Sequence, residues 1–571
     1  MVTVLVLVVL AAAWFERRRS SRAFENPLID AKFSRLTDFE GSELQAEISP
    51  DGKFVAFLSD RDGPFDVWLS QVGTGRFLNL TQGKQGELLE LTRSTGFSGD
   101  GAEVWLRGGP VVSDAPIRLM PLMGGPPRPF LPRSSVAVSW SQDGSRIVYH
   151  TGKPPGDPIF VADRTGARAT QIFIDPNAGG HCHFPVWSPD GNWIYFVRGI
   201  NATGEMDIWR IAPSGGPPER LTNRNTSIAF LAPLDARRLL YVSPAEDGSG
   251  PWLYSLDLDS KTSRRISYGL EQYLSVAASA DGRRLVATVA NPSARLWSVP
   301  ILDRPATESD VRPYALPNVR ALAPRFGAGS LFYLSSLGAG DGLWRYRDGQ
   351  TLEIWRGSEV PLLEPPALSS DGKRVAILLR REGKVRVYVM SDDGTGGTAI
   401  GDTLDAQGTA CWSPDGKWIA IGGQDAKGPG LFKIPAGGGA AVRLTDKPAI
   451  NPVWSPDGNL IIYTGAGVSR YQPLRAIRPD GSAVDIPGIQ IRVQGQRYRF
   501  LPDGKGLVYM EGLLRRQDFA LLDLATLKSR TLTHLDNPAN MQTFDITPDG
   551  KQIVFDRLRE NSDIVVIDLP K

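Results

Sequence analysis

Two histidines that are separated by one residue form a local pattern that could bind a metal ion. His181-Cys182-His183 contains two of the four histidines of the chain. On a β-strand, residues i and i+2 lie on the same side, so both imidazoles could reach one ion or one ligand. A structural metal site needs two further ligands, and no nearby residue supplies them with a recognisable spacing. We predict a hydrogen-bonded pair, with ligand contact by His181 and His183 as the alternative, and we predict no metal and no cofactor.

Asp-Gly pairs recur along the chain, and their carboxylates could in principle bind calcium. Ca²⁺ requires six to eight oxygen atoms that converge on one point, whereas these aspartates are widely separated in the sequence. Asp-Gly is favoured in tight turns, because Gly adopts positive φ and Asp tolerates it. We therefore predict a structural turn at each pair. The clearest copies are Asp51-Gly52, Asp190-Gly191, Asp415-Gly416, Asp457-Gly458, Asp503-Gly504 and Asp549-Gly550.

The motifs of two catalytic classes are absent from the sequence. An α/β-hydrolase requires Gly-x-Ser-x-Gly at a strand-to-helix turn. A protein kinase requires a glycine-rich loop followed by a strand lysine, and the His-Arg-Asp and Asp-Phe-Gly motifs. None of these patterns occurs in the chain. We predict that the chain is not an enzyme and has no catalytic residues.

The Asp-Gly turns belong to a longer repeat with a period of roughly 45 residues. Each turn follows a short apolar strand and precedes a strand rich in β-branched or aromatic residues, such as 193–197 after Asp190-Gly191. A third strand at 207–211 and a fourth at 219–222 complete this copy. Four short antiparallel strands in one such period are typical of a β-propeller blade.

Twelve copies of the unit can be counted when two degenerate copies, at 234–241 and 326–333, are included. We predict an all-β fold of tandem β-propellers with two six-bladed rings, because single rings usually have four to eight blades. The predicted domains are 33–316 for the first propeller and 317–571 for the second. The last copy lacks a fourth strand, and residues 33–37 resemble the missing one. A strand borrowed across the termini would remove an open sheet edge.

The first residues are apolar and are followed by a basic cluster. Residues 2–15 carry no charge, and Arg17, Arg18 and Arg19 follow. A helix of fourteen residues spans about 21 Å, which is shorter than the ~30 Å hydrocarbon core of a bilayer. The alternatives are a short or tilted anchor, an atypical export signal, and a helix that begins upstream of Met1. We predict a short apolar helix that anchors the chain in a membrane, with residues 1–32 as membrane segment and basic linker.

The charge balance and the cysteine count exclude two other classes. Lys and Arg number 64 and Asp and Glu number 62, which gives a net charge of +2. This balance does not suit electrostatic binding of nucleic acid. The two cysteines, Cys182 and Cys411, cannot form a disulfide framework.

The Ser-Pro-Asp-Gly-Lys core at residues 49–53, with its further copies, resembles the TolB-like propeller repeat, also called PD40 or WD40-like. The resemblance covers roughly residues 33–571. The apolar segment, the short linker and residues 33–41 also resemble the C-terminal propeller half of bacterial membrane-bound Ser/Thr kinases or of winged-helix regulators. This resemblance implies a sensing or scaffolding domain that lies outside the membrane.

These observations together predict a non-catalytic, membrane-tethered binding, sensor or scaffold propeller. Its partner would be a protein, a peptide or an envelope component, and its propellers would be extracytoplasmic, in the periplasm. The alternative is a hydrolase- or lyase-type enzyme with its site at a propeller channel. That alternative requires two or more acids and a His or Tyr that converge at one channel mouth with perturbed pKa values.

Overall fold

The structure is a computed structural model in which some segments are not described. The described residues are 24–39, 41–84, 93–108, 115–152, 156–177, 180–200, 205–318, 320–327, 329–336, 340–357, 360, 362, 364–381, 384–466, 471–493, 495–513, 516–536 and 539–570. The predicted apolar helix and the three arginines that follow it lie outside these ranges. Within them, no helix is long and apolar enough to cross a membrane.

The fold is all-β, and nearly all of its strands form four-stranded antiparallel sheets. The strands before the first ring-to-ring crossing are β1 (Lys32–Arg35), β2 (Glu43–Ile48), β3 (Phe54–Ser59), β4 (Asp66–Gln71), β5 (Phe77–Asn79), β6 (Thr95–Phe97), β7 (Glu103–Arg107), β8 (Ile117–Pro121), β9 (Arg128–Leu131), β10 (Ser135–Trp140), β11 (Arg146–Thr151), β12 (Ile159–Asp163), β13 (Thr170–Phe173), β14 (Gly180–Trp187), β15 (Ile194–Ile200), β16 (Glu205–Ile211), β17 (Glu219–Arg220), β18 (Ala229–Pro233), β19 (Arg238–Ser243), β20 (Trp252–Asp257), β21 (Thr262–Arg265), β22 (Gln272–Ala278) and β23 (Arg284–Ala290).

The remaining strands lie after residue 290, together with one short 3₁₀ helix at Glu308–Asp310. They are β24 (Ser293–Pro300), β25 (Ala306–Thr307), β26 (Arg312–Pro313), β27 (Leu322–Gly327), β28 (Ser330–Ser335), β29 (Gly342–Arg347), β30 (Gln350–Trp355), β31 (Ala367–Leu368), β32 (Arg374–Arg381), β33 (Lys384–Ser391), β34 (Thr398–Ile400), β35 (Asp405–Trp412), β36 (Trp418–Asp425), β37 (Gly428–Pro435), β38 (Val442–Thr445), β39 (Ala449–Trp454), β40 (Ile461–Gly465), β41 (Tyr471–Ile477), β42 (Ala483–Val484), β43 (Gln490–Arg492), β44 (Tyr498–Phe500), β45 (Gly506–Leu513), β46 (Arg516–Asp523), β47 (Ser529–Thr531), β48 (Thr533–His534), β49 (Phe544–Ile546), β50 (Gln552–Arg559) and β51 (Ser562–Asp568).

The first ring has six blades whose inner strands surround a common centre. Blades 1 to 5 are β2–β5, β6–β9, β10–β13, β14–β17 and β18–β21, and blade 6 has the order β22, β23, β51, β1. The ring closes because the inner strand β2 of blade 1 contacts the inner strand β22 of blade 6. The predicted tandem-propeller fold is therefore confirmed.

The second ring is built in the same way. Blades 7 to 11 are β27–β30, β31–β34, β35–β38, β39–β42 and β44–β47, and blade 12 has the order β49, β50, β24, β26. Inner strands of neighbouring blades contact each other around the whole ring, including β27 with β49. Outside these blades, β43 pairs with β41, and β25 forms a short parallel pair with β48.

The second ring, from β24 to β50, is inserted into the first ring between β23 and β51. The chain leaves the first ring between β23 and β24, through Asn291 and Pro292 only, and returns between β50 and β51, through Glu560 and Asn561 only. The two crossings are hydrogen-bonded to each other, since the Asn291 amide donates to the Asn561 carbonyl at 3.2 Å and the Asn561 side chain donates to the Asn291 carbonyl at 3.2 Å. Each crossing therefore supports the other.

Blade 6 shows how the terminal strands complete the first ring. β51 lies between β23 and β1, with Val566 opposite both Val286 and Ser34. The prediction that the N-terminal strand supplies a missing fourth strand is confirmed, and the ring that it completes is the first. The predicted domain boundary between residues 316 and 317 lies between β26 and β27, which both belong to the second ring, whereas the chain crosses at 291–292 and 560–561.

The hydrophobic core lies between the faces of adjacent blades. Phe57 of blade 1 packs with Val286 and Ile564 of blade 6, and all three side chains are fully buried. This contact depends on β51, because Ile564 comes from the C-terminal strand. The core of the first ring is therefore incomplete without the last residues of the chain.

Replacing Ile564 by Ala should lower the free energy of unfolding by about 2–5 kcal/mol, because a fully buried side chain would leave a cavity between blades 1 and 6. Urea unfolding followed by tryptophan fluorescence measures the change. Val565→Ala is the matched control, since this neighbour on the same strand is only half-buried. Equal and small losses for both variants would contradict the packing of β51 into the first ring.

Candidate functional site

A cavity of about 340 Å³ lies at the centre of the first ring. Each of the six blades contributes the end of its inner strand and the start of the following turn to the lining. These segments are 47–50, 96–99, 138–142, 186–189, 231–235 and 277–281, and Arg93 and Trp105 add to them. The cavity is therefore the central channel of the propeller, at the end where the Asp-Gly turns lie.

The turns at the mouth share one hydrogen-bonding pattern, which blade 1 illustrates. The Ser49 hydroxyl donates to Asp51 at 2.6 Å and accepts from the Phe54 amide at 2.9 Å. The Lys53 amide donates to the same carboxylate at 3.1 Å, and Gly52 has a φ of 72°. The bond from Ser49 lowers the pKa of Asp51. The aspartate is thus engaged by its own turn.

The other predicted turn residues are placed in the same way. Ser188, Ser413, Ser455 and Thr547 each donate to the aspartate two positions later, namely Asp190, Asp415, Asp457 and Asp549. At Asp503 the hydroxyl is missing because Leu501 occupies its position, and the Lys505 amide donates to the carboxylate at 2.9 Å. The following glycines, Gly191, Gly416, Gly458, Gly504 and Gly550, all have positive φ.

The width of the first channel depends on the second-to-last residue of each inner strand, which we call the channel position. In the first ring, the six residues at this channel position all line the cavity. They are Glu47, Gly96, Ser139, Val186, Ala232 and Ala277. Five of the six are small or medium-sized and uncharged, which leaves the central space open. Glu47 is the single charged residue among these six.

An ion pair lies at the wall of this cavity and joins three blades. Arg93 Nε is 2.7 Å from Glu47 Oε1, and the two side chains are 7% and 13% exposed. Arg93 also donates to the carbonyl of Leu231 in blade 5 at 3.3 Å. Arg93 lies just before β6 of blade 2, and its side chain reaches across the ring to blade 5 on the opposite side. The pair therefore narrows the channel at one point and places a buried acceptor and donor beside the cavity.

Burial changes the protonation of Glu47. Loss of solvation raises its pKa from 4.5 to about 7, although the charge of Arg93 and its hydrogen bond act in the opposite direction. The other charged residues in the described lining are Asp235 and Asp281 at the turns. The Asp281 carboxylate accepts from Ser279, and this bond lowers its pKa. Glu47 is therefore the lining carboxyl that titrates near neutral pH, and the described lining contains no His or Tyr.

The structure places the predicted histidine pair outside this cavity. His181 and His183 lie at the beginning of β14, whereas the cavity is lined by the end of that strand. Their rings are perpendicular with centroids 3.7 Å apart, and His150 of blade 3 lies 5.8 Å from His183. His181 Nδ1 contacts the buried carboxylate of Asp157. Three of the four histidines thus meet between blades 3 and 4.

This cluster is largely shielded from solvent. Burial lowers the pKa of His150 to about 3, so this imidazole is neutral at pH 7. Cys182 points away from the histidines and is fully buried in the hydrophobic core, next to Phe196. In the described part of the chain, no group of three or more His, Cys, Asp and Glu side chains is placed to hold a metal ion.

Sequence reasoning missed Glu47 and Arg93. Glu47 had a detectable signal, because it stands two residues before the turn serine, where the other clear copies of the first ring have Gly, Ser, Val and Ala. Arg93 had no such signal, since it precedes the repeat unit of its blade and its contacts lie on other blades, with Glu47 of blade 1 and the Leu231 carbonyl of blade 5.

Comparisons with known proteins agree with the fold. Residues 358–486 match the family described as the TolB beta propeller domain, PD40. An uncharacterized protein of Agrobacterium fabrum is 32% identical over 129 residues, which cover 22% of this chain and 42% of that protein. The structure of a putative TolB from Agrobacterium tumefaciens has 24% identity and a TM-score of 0.34, and covers 41% of this chain and 83% of that one. The chain therefore contains a TolB-like β-propeller domain.

Two further relatives carry names of enzymes. An uncharacterized peptidase of Bacillus subtilis, YuxL, is 31% identical over 151 residues, which cover 25% of this chain and 20% of that protein. Tricorn protease homolog 1 of Streptomyces coelicolor is 26% identical over 420 residues, which cover 65% of this chain and 36% of that protein. The chain spans less than half the length of each of these three curated relatives. The expectation that the chain is not an enzyme is overturned by these peptidase and protease names.

The raised pKa of Glu47 predicts how stability depends on pH. Between pH 4.5 and about 7 the folded state holds a proton on Glu47 that the unfolded state has released, so the free energy of unfolding should fall as the pH rises through this window. In Glu47→Gln, the fall in the free energy of unfolding across this pH window should be smaller by about 3 kcal/mol. Urea unfolding at several pH values measures it.

Glu103→Gln is the matched control, because Glu103 pairs with Arg128 away from the cavity, at 2.7 Å. It should leave the pH dependence as in the wild type. An unchanged slope for Glu47→Gln would show that Glu47 is ionised throughout this range.

Proposed function

We propose that the first ring binds an extended peptide segment in its central cavity, and that the chain serves a peptidase-type protein as its peptide-binding part. The observation that carries the proposal is the cavity itself, with the buried Glu47–Arg93 pair beside it. Its volume of about 340 Å³ falls in the range of ligand sites in proteins. The peptidase and protease names of two relatives support the choice of a peptide as ligand.

The chemistry of the lining suits an extended backbone. A peptide carries one amide donor and one carbonyl acceptor per residue, and both require partners when they leave water. Arg93 can donate to a carbonyl and Glu47 can accept from an amide, while the small residues at Gly96, Ala232 and Ala277 leave room for the chain. When the Glu47–Arg93 ion pair opens for a ligand, each side chain loses its contact with the other. A ligand with both a donor and an acceptor is therefore favoured, because it can replace the lost contact of each side chain.

We further propose that the chain is tethered to a membrane and that its propellers are extracytoplasmic, in the periplasm. The support is the uncharged run at residues 2–15 with the arginines behind it. The first described residues dock on the ring, because the Asn26 side chain donates to the Ile266 carbonyl at 3.0 Å and Leu28 packs against a hydrophobic cluster of blades 4 to 6. Such a segment would hold the first ring close to its anchor.

A second candidate is catalysis in the same cavity, and the observation that favours it is the pKa of about 7 at Glu47. A carboxyl that titrates near neutral pH is suited to general acid–base chemistry. Cleavage of a fluorogenic peptide library that is lost in Glu47→Gln and kept in Asp281→Asn would support this candidate. Equal cleavage by both variants, or none by the wild type, would contradict it.

Peptide binding should depend on an open channel. Ser139→Trp places a large ring in the cavity, and we expect it to weaken binding at least about tenfold, because the ligand and the indole would occupy the same space. The assay is fluorescence polarisation with a pooled library of labelled, unstructured decapeptides. Ala167→Trp, at an exposed position of the same blade, is the matched control and should bind like the wild type.

Circular dichroism melting shows whether the Ser139→Trp protein is folded. If the folded variant binds the library as well as the control does, the cavity is not the peptide site. If the wild type binds no member of the library, the proposed function is wrong.

A further inference from the structure

The centre of the second ring differs in charge from that of the first. The channel position there is occupied by Arg325, Ala367, Cys411, Val453, Arg499 and Asp545, with Arg325 assigned from its pairing with Phe332. Two of these six residues are arginines, where the first ring has one glutamate. The same structural position therefore has the opposite charge in the two rings.

Arg325 is deeply buried and only partly satisfied. The residue is 2% exposed. Its Nη1 atom donates to the carbonyls of Pro324 at 2.6 Å and Phe544 at 3.1 Å. Nη2 donates to Oε1 of Gln496, which is 1% exposed. Within the described residues, Arg325 Nε and Gln496 Nε2 have no hydrogen-bond partner. Two buried N–H groups of neighbouring side chains therefore lack an acceptor.

The carboxylates nearby do not supply that acceptor. Asp545 Oδ2 accepts from the Phe326 amide at 2.8 Å, and Oδ1 lies 3.5 Å from Arg499 Nε, which is longer than a direct charge-assisted hydrogen bond. Asp556 accepts from the amides of Ala323, at 3.1 Å, and Gln542, at 2.7 Å. Its bonds to Thr543 complete its shell.

The buried donors at this centre are not all matched by acceptors. Burial and the nearby Arg499 lower the pKa of Arg325 to about 9, although the carboxylates of Asp545 and Asp556 act in the opposite direction. Burying a guanidinium N–H group without an acceptor carries a free-energy cost. An anion between the two arginines would offset that cost.

We infer that the centre of the second ring binds an oxyanion of the carboxylate class, held by Arg325 and Arg499 and by the amide of Gln496. A guanidinium N–H forms a charge-assisted hydrogen bond with a carboxylate oxygen, and Arg325 Nε has no other acceptor among the described residues. Solvent reaches the site, since the side chains of Arg499 and Asp545 keep 15% and 16% of their exposure. The inference is independent of the peptide site in the first ring.

The experiment titrates the full chain with acetate and follows the melting temperature, with sodium chloride added to keep the ionic strength constant. We expect a saturable rise in the wild type, because a ligand that binds only the folded state stabilises it. Arg499→Gln should raise the half-saturating acetate concentration at least about tenfold, because one charge-assisted partner is lost.

Two further variants make the result decisive. Arg381→Gln removes an exposed arginine of the same ring and should respond like the wild type. Arg325→Gln should lose the response, but its burial makes Arg499→Gln the primary variant. A wild type without saturable response, or an equal response in wild type and Arg499→Gln, would overturn the inference. Neither outcome bears on peptide binding in the first ring.

Discussion

The two adjacent crossings between the rings determine how the whole chain folds. A blade that combines strands from distant parts of the chain closes a ring without leaving an incomplete sheet at the chain ends. Here two blades do so, because β51 lies between β23 and β1, and β24 lies between β50 and β26. The first ring is completed only by β51 from the C-terminal end of the chain, whereas the second ring is built from the continuous segment 293–559. The hydrogen bonds between Asn291 and Asn561 hold the two crossings side by side, so the chain returns to the first ring next to the point where it left.

Within this frame, a single repeat gives two centres with different chemistry. The turn that Ser49 and Asp51 form is repeated around both rings and fixes where each inner strand ends. It therefore also fixes which residue of each blade meets the central channel. Small residues at that position leave a cavity in the first ring beside Glu47, whereas arginines occupy the centre of the second. Differences of function can arise at this position without any change in the fold.

The repeat made most of the fold predictable, because each copy carries its own turn signal and its own strands. The insertion of the second ring was not predictable, since Asn291-Pro292 looks like an ordinary two-residue connection between strands of one blade. Whether the chain turns back or continues into the neighbouring ring is decided by pairing with β50, more than 250 residues away. The N-terminal strand was found because its sequence resembles a fourth strand of the repeat.

The candidate site was harder to predict for the same physical reason. Glu47, Arg93 and the Leu231 carbonyl meet only when blades 1, 2 and 5 surround one centre. The pair His181 and His183 was visible as a local pattern, but its third member, His150, comes from a different blade and the cluster lies away from the cavity. Local spacing identifies residues on one strand, whereas a channel is assembled from residues on six.

Hydrogen–deuterium exchange of the full chain, with and without a saturating peptide from the library, shows whether the peptide binds in the first channel. We expect slower exchange at the inner-strand ends of all six blades of the first ring, for example around residues 47–50, 96–99 and 138–142, and no change at the outer strands. Protection confined to outer strands, or to the second ring, would contradict peptide binding in this channel.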